Sequence, residues 1–342
     1  MASLQKENIV CNMHLKILRA IANTHTIPIL KTAVTAANVG LIWLLIETGT
    51  DANDVFQLAA KHGHTDVVCM LLKFDVDPTA NDNYALRRGH TEIVRLLLAL
   101  DRGVNPAAND NAALRTACAN GHMKIVRMLI DLPLDRGVNP AAINNEALQS
   151  ASRNGHTEIV RMLNALPPER GVDPSANDNA ALQCASLNGH VEIVRLLLAL
   201  PPERGVIPAA LTNYAFRCAC KNGHLEIVRL LLALPPERGV DPAVFDNLAL
   251  RYASERGQTE IVRLLLDLPQ ERGVTLAYCD LLLLPSAIGH TEIVRMLLEQ
   301  PVERGLTVGL ALQTARERGH TEIVNLLERA IDALPNDLRT KN

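Results

Sequence analysis

Aromatic side chains are scarce in this chain of 342 residues, which has one Trp, four Tyr and four Phe. Any cluster of rings therefore stands out from the background. A surplus of one charge is also missing. The chain has 34 basic and 37 acidic residues, a net charge of −3, with the two signs interspersed. That balance argues against an extended field for nucleic acid or an anionic membrane. Apolar runs of 18 or more residues are absent, and stretches such as IVRLLLALPP are too short to span a bilayer. The first residues, MASLQKENIVC, carry no apolar segment behind a basic start, so no secretory signal is expected. A phosphate-cradling Gly-rich loop, G-x-S-x-G, H-E-x-x-H and a kinase-type set are all missing.

The seven cysteines are odd in number and do not follow a bridge framework. Cys118, Cys184 and Cys218 stand in alanine-rich stretches, where a small buried thiol fits. Cys218 and Cys220 form a C-x-C with no second pair at zinc-finger spacing. A reducing, cytoplasmic setting is the expectation, in the cell's own cytoplasm or in that of a host.

What the chain has in abundance is one recurring phrase, Gly-His followed by T-E-I-V-R-L-L-L or a close variant. It stands at Gly63-His64, Gly89-His90, Gly121-His122, Gly155-His156, Gly189-His190, Gly223-His224, Gly289-His290 and Gly319-His320, with Gly257-Gln258 as a degenerate copy. Most successive glycines lie 32 to 34 residues apart. A period near 33 predicts an array of stacked units, each touching its neighbours.

One period, Asn177 to Ala210, shows how a unit is built. Ala181, Leu182, Ala185 and Ser186 recur at helical spacing and predict a short first helix with a narrow face of small residues. Gly189 ends it, because glycine tolerates the positive φ common after a helix C-terminus. In the second helix, Ile193, Val194, Leu196, Leu197 and Leu198 are expected in the core. Glu192 and Arg195, three apart, are expected to pair on the water side. Pro201 and Pro202 stop the helix.

The pattern Ala-Leu-x-x-Ala-(Ser/Cys)-x-Asn-Gly-His-x-Glu-Ile-Val-x-Leu-Leu-Leu resembles the ankyrin repeat over about residues 29–336. The resemblance implies an all-α solenoid of about ten helix-turn-helix units. Two departures stand out. The family's T-P-L-H opening is replaced by N-x-A-L, as at Asn179 to Leu182, and the stretch from Asp173 to Leu182 is shorter than the family's β-hairpin finger. Loops or turns are therefore expected in place of regular hairpins. Short fingers with an N-D-N opening are similar to arrays of giant viruses, amoeba-associated bacteria and some lower eukaryotes.

Along the chain, residues 1–28 are expected to form an N-terminal helical cap, 29–336 the array, and 337–342 a tail. The first unit is degenerate and holds the only tryptophan, Trp43. The third is four residues short before Gly89, so its first helix should lose about one turn. In the ninth, Pro285 replaces alanine and should kink or shorten the first helix.

Eight of the eleven histidines fall in Gly-His pairs. One per period cannot converge on an ion, so each is expected to begin a second helix and to hydrogen-bond backbone between units. The LPPERG series (Glu169-Arg170, Glu203-Arg204, Glu237-Arg238, Glu271-Arg272, Glu303-Arg304) predicts a solvated edge with inter-unit ion pairs, or else a docking stripe. Function in an array lies where residues depart from the repeat. Twelve residues before each Gly stand Asn109, Ile143, Asn177, Leu211 and Phe245, and nine before stand Ala112, Glu146, Ala180, Tyr214 and Leu248. Large apolar residues thus gather in units seven and eight: Leu211, Tyr214, Phe245, Leu248 and Tyr252, with Tyr278 next along. They mark a partner surface, or else they pack into the core between units.

The expected function is non-catalytic. A protein partner binds the concave finger and first-helix surface of a monomeric chain, without nucleic acid, membrane, cofactor or metal. The resemblance extends this to a host-directed effector or adaptor. The alternatives are a Cys/His hydrolase-like enzyme, for which no non-repeat domain is visible, and an orphan structural array without a high-affinity partner.

Overall fold

The Gly-His phrase sets the local geometry of most units. The computed structural model describes residues 30–47, 49–74, 76–80, 84–100, 103–269, 272, 281–300 and 308–333, and these contain helices and turns but no strand. Tyr278, the head 1–28 and the tail 337–342 lie outside the described residues. The chain divides into two compact units, Met1–Ile143 and Asn144–Asn342.

In the first, residues 30–35 are helical and are followed by α1 (Val39–Glu47), α2 (Ala52–His62), α3 (Thr65–Leu71), a 3-10 helix (Tyr84–Arg88), α4 (Thr91–Leu98), α5 (Ala108–Ala119) and α6 (Met123–Ile130). The second holds most of α7 (Ala142–Arg153), then α8 (Thr157–Asn164), α9 (Ala176–Asn188), α10 (Val191–Leu198), α11 (Ala210–Asn222), α12 (Leu225–Leu232), α13 (Val244–Glu255) and α14 (Thr259–Leu266). It ends with α15 (Leu283–Ile288), α16 (Thr291–Leu298), α17 (Gly309–Arg318) and α18 (Thr321–Ala333). No helix among the described residues is long and apolar enough to cross a membrane.

Each unit pairs a small-faced helix with an aliphatic one. On α9 Ala181, Leu182, Ala185 and Ser186 are all buried, as their spacing predicts. On α10 the buried residues are Ile193, Val194 and Leu197; Leu196 and Leu198 are only half-buried, because an eight-residue helix presents one narrow stripe to the core. Gly189 follows α9 at φ 79. Its glycine is required twice over, since a Cβ there would also lie 2.6 Å from Cε1 of His224 in the next unit. The His224 ring donates from Nε2 to the Leu187 carbonyl at 3.1 Å, which fixes the tautomer, because a carbonyl can only accept. His90 to Lys61, His190 to Arg153, His290 to Glu255 and His320 to Ala287 repeat the bond. These five histidines join units through the backbone, as expected, whereas His64 Nε2 finds no hydrogen-bond partner among the described residues.

The hairpin finger is replaced by one left-handed turn. Asn109-Asp110-Asn111, Asn177-Asp178-Asn179, Leu211-Thr212-Asn213 and Phe245-Asp246-Asn247 each hold three successive residues at φ between 49 and 66. Left-handed backbone costs about 1–2 kcal/mol per non-glycine residue, least for Asn and Asp. A side chain from the next turn of helix ties the first three of these loops down. Arg115 donates to the Asp110 and Asn109 carbonyls, Gln183 to Asp178, and Arg217 to Thr212 and Leu211. The third residue of each turn is a buried Asn, and in four of the turns its Oδ1 accepts a backbone N–H 28 residues on. Asn111 takes Asn139 in the first unit of the chain; Asn145 takes Asp173, Asn179 takes Ile207 and Asn213 takes Asp241 in the second.

Both irregular units behave as their sequences suggest. The short third unit has a five-residue 3-10 helix, Tyr84–Arg88, as its first helix. Pro285 sits at the third position of α15, where the missing N–H has no helical acceptor to lose, so the helix is shortened to six residues.

Candidate functional site

The LPPERG edge makes bonds other than those expected. Its guanidiniums reach main-chain carbonyls of the preceding repeat. Arg204 donates to Asn164, the last residue of α8, at 3.0 Å and to Val172 at 3.1 Å, while Arg136 donates to Val104 and Arg272 to Leu232. The end of a helix leaves carbonyls unpaired, and a cation there satisfies them with a favourable dipole. The Glu271 and Glu303-Arg304 positions of this edge lie outside the described residues, and the inter-unit ion pairs Arg195–Glu226, Arg263–Glu292 and Arg295–Glu322 lie on the second helices. Arg195 bridges Glu192 and Glu226, Arg263 bridges Glu260 and Glu292, and Arg295 bridges Glu292 and Glu322, all on half-exposed side chains. Each such pair contributes about 0–1 kcal/mol.

The residues that depart from the repeat lie on α11 and α13. Leu211 and Phe245 open their left-handed turns at φ 49 and 52, the place that Asn109 and Asn177 hold elsewhere. They are 53% and 57% exposed, and Tyr214 is 36% exposed. Leu248 and Tyr252 are half-buried between the two helices' faces and solvent. Tyr278 lies outside the described residues. Ile143 occupies the same turn position and is also exposed.

Sequence reasoning missed the cations that organise these rings. The Arg217 guanidinium, already holding the turn before α11, lies 5.7 Å from the centroid of Tyr214 and 5.3 Å from that of Phe245. One helical turn on, Lys221 Nζ sits 5.0 Å from the Tyr252 centroid. Cations over ring faces at these distances contribute about 0.5–1 kcal/mol each at exposed sites. The neighbouring Cys218 side chain pushes the Tyr214 phenol above its ordinary range, while burial pushes the Cys218 thiol up. The detectable signal was the spacing Tyr214, Arg217, Lys221, which places all three on one helical face.

Beyond α13 a cavity of about 310 Å³ is lined by Arg251, Leu281, Leu283, Leu284 and Pro285. It offers apolar walls and one guanidinium. Among the described residues no group of three or more His, Cys, Asp or Glu side chains is placed to hold a metal ion. Cys69, Cys118, Cys184, Cys218 and Cys220 are free thiols; Cys118, Cys218 and Cys220 are buried, whereas Cys184 is half-buried.

A family model described as ankyrin repeats (3 copies) matches residues 30–110, 83–140, 134–208 and 204–275. No curated protein matches the chain. Among solved structures it is similar to an ankyrin repeat domain from Acinetobacter baumannii AYE. The two are 25% identical over 54% of this chain and 96% of that one, with a TM-score of 0.40.

Proposed function

The chain belongs to the ankyrin-repeat family, whose repeats are generally protein–protein interaction modules, and from that premise we propose that it is a scaffold binding a protein partner through the faces of α11 and α13. The observation that carries this is the placement of Leu211 and Phe245. Large apolar side chains stand in solvent on left-handed backbone, as Ile143 also does, at a position where two other units have asparagine. Neither exposure nor that backbone favours Leu or Phe. Strain that the fold does not need points to use by a ligand. Tyr214, Leu248, Tyr252 and Tyr278 are proposed to extend the same surface, with Arg217 keeping the rings of Tyr214 and Phe245 apart and oriented.

The test is affinity capture with the wild-type chain and the Tyr214→Ala/Phe245→Ala variant, after confirming equal melting curves. A protein retained by the wild type and lost from the variant supports the proposal. Equal retention by both excludes this face, and no retention by either favours an array without a high-affinity partner.

A further inference from the structure

Resting on that reading, we propose that the partner is met as an acidic peptide segment: an apolar anchor residue flanked by Asp or Glu, laid across α11 and α13. Three cations on the second helices already have carboxylates: Arg195, Arg263 and Arg295 each lie within ion-pair distance of two glutamates. Arg217, Lys221 and Arg251 differ. Among the described residues none of them has a carboxylate at that distance, although Asp246 and Glu255 stand on the same pair of helices. Arg217 spends Nε and Nη2 on the turn carbonyls and leaves Nη1 unused. The surface is thus locally cationic in a chain whose net charge is −3.

The arrangement suits carboxylates more than it suits an uncharged apolar partner. A guanidinium held between two rings is already oriented and weakly hydrated, so less entropy is lost when an anion pairs with it. Phe245 and Leu211 supply apolar contact beside it, and a ring of partly desolvated contacts strengthens the ion pairs at its centre. The cavity at Leu284 is large enough for one apolar side chain and places Arg251 at its wall, where a neighbouring carboxylate of the same peptide would sit. Complementary charge then sets the choice of partner and the rate of encounter.

The experiment uses a phage-displayed library of random dodecapeptides panned on the immobilised full chain, with counter-selection on Tyr214→Ala/Phe245→Ala. Enriched peptides are synthesised and titrated by fluorescence polarisation against the wild type and Lys221→Glu/Arg251→Glu at low and high salt. Neither Lys221 nor Arg251 is buried, so the reversed variant should fold. The expected result is a pool rich in Asp and Glu around a Leu, Met, Phe or Trp. Affinity should fall roughly tenfold or more in the charge-reversed variant and weaken with salt. Neutral or basic peptides, or acidic ones that bind the reversed variant equally well, would overturn the acidic-partner inference and leave the docking surface standing. No enrichment over the ring-deleted variant would overturn both.

Discussion

The Oδ1 of Asn179 accepts the backbone N–H of Ile207 at 2.8 Å, 28 residues further along. Asn179 is buried and stands third in its left-handed turn, so one side chain both ends the turn and fixes the start of the next repeat. Asn179→Ala leaves that amide without its acceptor and should lower stability by about 1–3 kcal/mol. Asn177→Ala, two residues earlier on the exposed side of the turn, should cost less. Urea unfolding of both variants checks the order.

Gly189 and His224 form the second joint between units. Gly189→Ala places a methyl group against the imidazole on backbone that disfavours any side chain, and should destabilise more than either cause alone. Adding His224→Ala removes the collision and leaves the backbone cost of about 1–2 kcal/mol. A double-mutant cycle should therefore show the pair losing less than the sum of the single variants.

Ser152, Ser186, Ser254 and Ser286 are buried, and their hydroxyls find no hydrogen-bond partner among the described residues. All four stand three residues before a glycine, the position that Cys118 and Cys220 hold in other units. Ser186→Cys keeps the size and removes the unpaired hydroxyl, so it should stabilise the chain by about 1 kcal/mol. A raised melting temperature is the expected readout.

Burial pushes the Cys118 thiol from 9.0 up to about 12, and moves the Cys220 thiol in the same direction. A raised folded pKa means that the folded state holds the proton more tightly than the unfolded one. The stability it contributes is complete below about pH 9 and is lost as pH rises from 9 towards 12. Chemical unfolding across pH 8 to 11 should show this decline, and Cys118→Ser, which writes in the residue that Ser152 supplies in the next unit, should make it shallower.

The repeat was legible because helical period, Gly-His punctuation and small-residue faces recur, and the structure keeps Ala181, Leu182, Ile193 and Val194 buried accordingly. The shortened third and ninth units could likewise be read from a missing turn and from Pro285. The left-handed turns were harder to see. Three successive non-glycine residues at positive φ leave no hydrophobic period, and the available clue was the constant Asn at 111, 145, 179, 213 and 247 beside two variable neighbours. Arg204 was read as a surface charge because its acceptors are main-chain carbonyls, which have no signature in residue type. Leu211, Tyr214 and Phe245 stand out in the sequence as departures from the repeat, whereas residue type gives no sign of Arg217, whose part follows from its distances to both rings.

Leu211 and Phe245, kept for a partner at the expense of the fold, are probed together by Leu211→Asn/Phe245→Asn, which writes into these turns the residue that Asn109 and Asn177 carry in the same conformation. Calorimetric melting and partner binding are measured on the same preparation. A melting temperature equal to or above that of the wild type, with binding lost, is the expected outcome. A lowered melting temperature with binding intact would show that the two side chains serve the fold, and the proposed surface would be withdrawn.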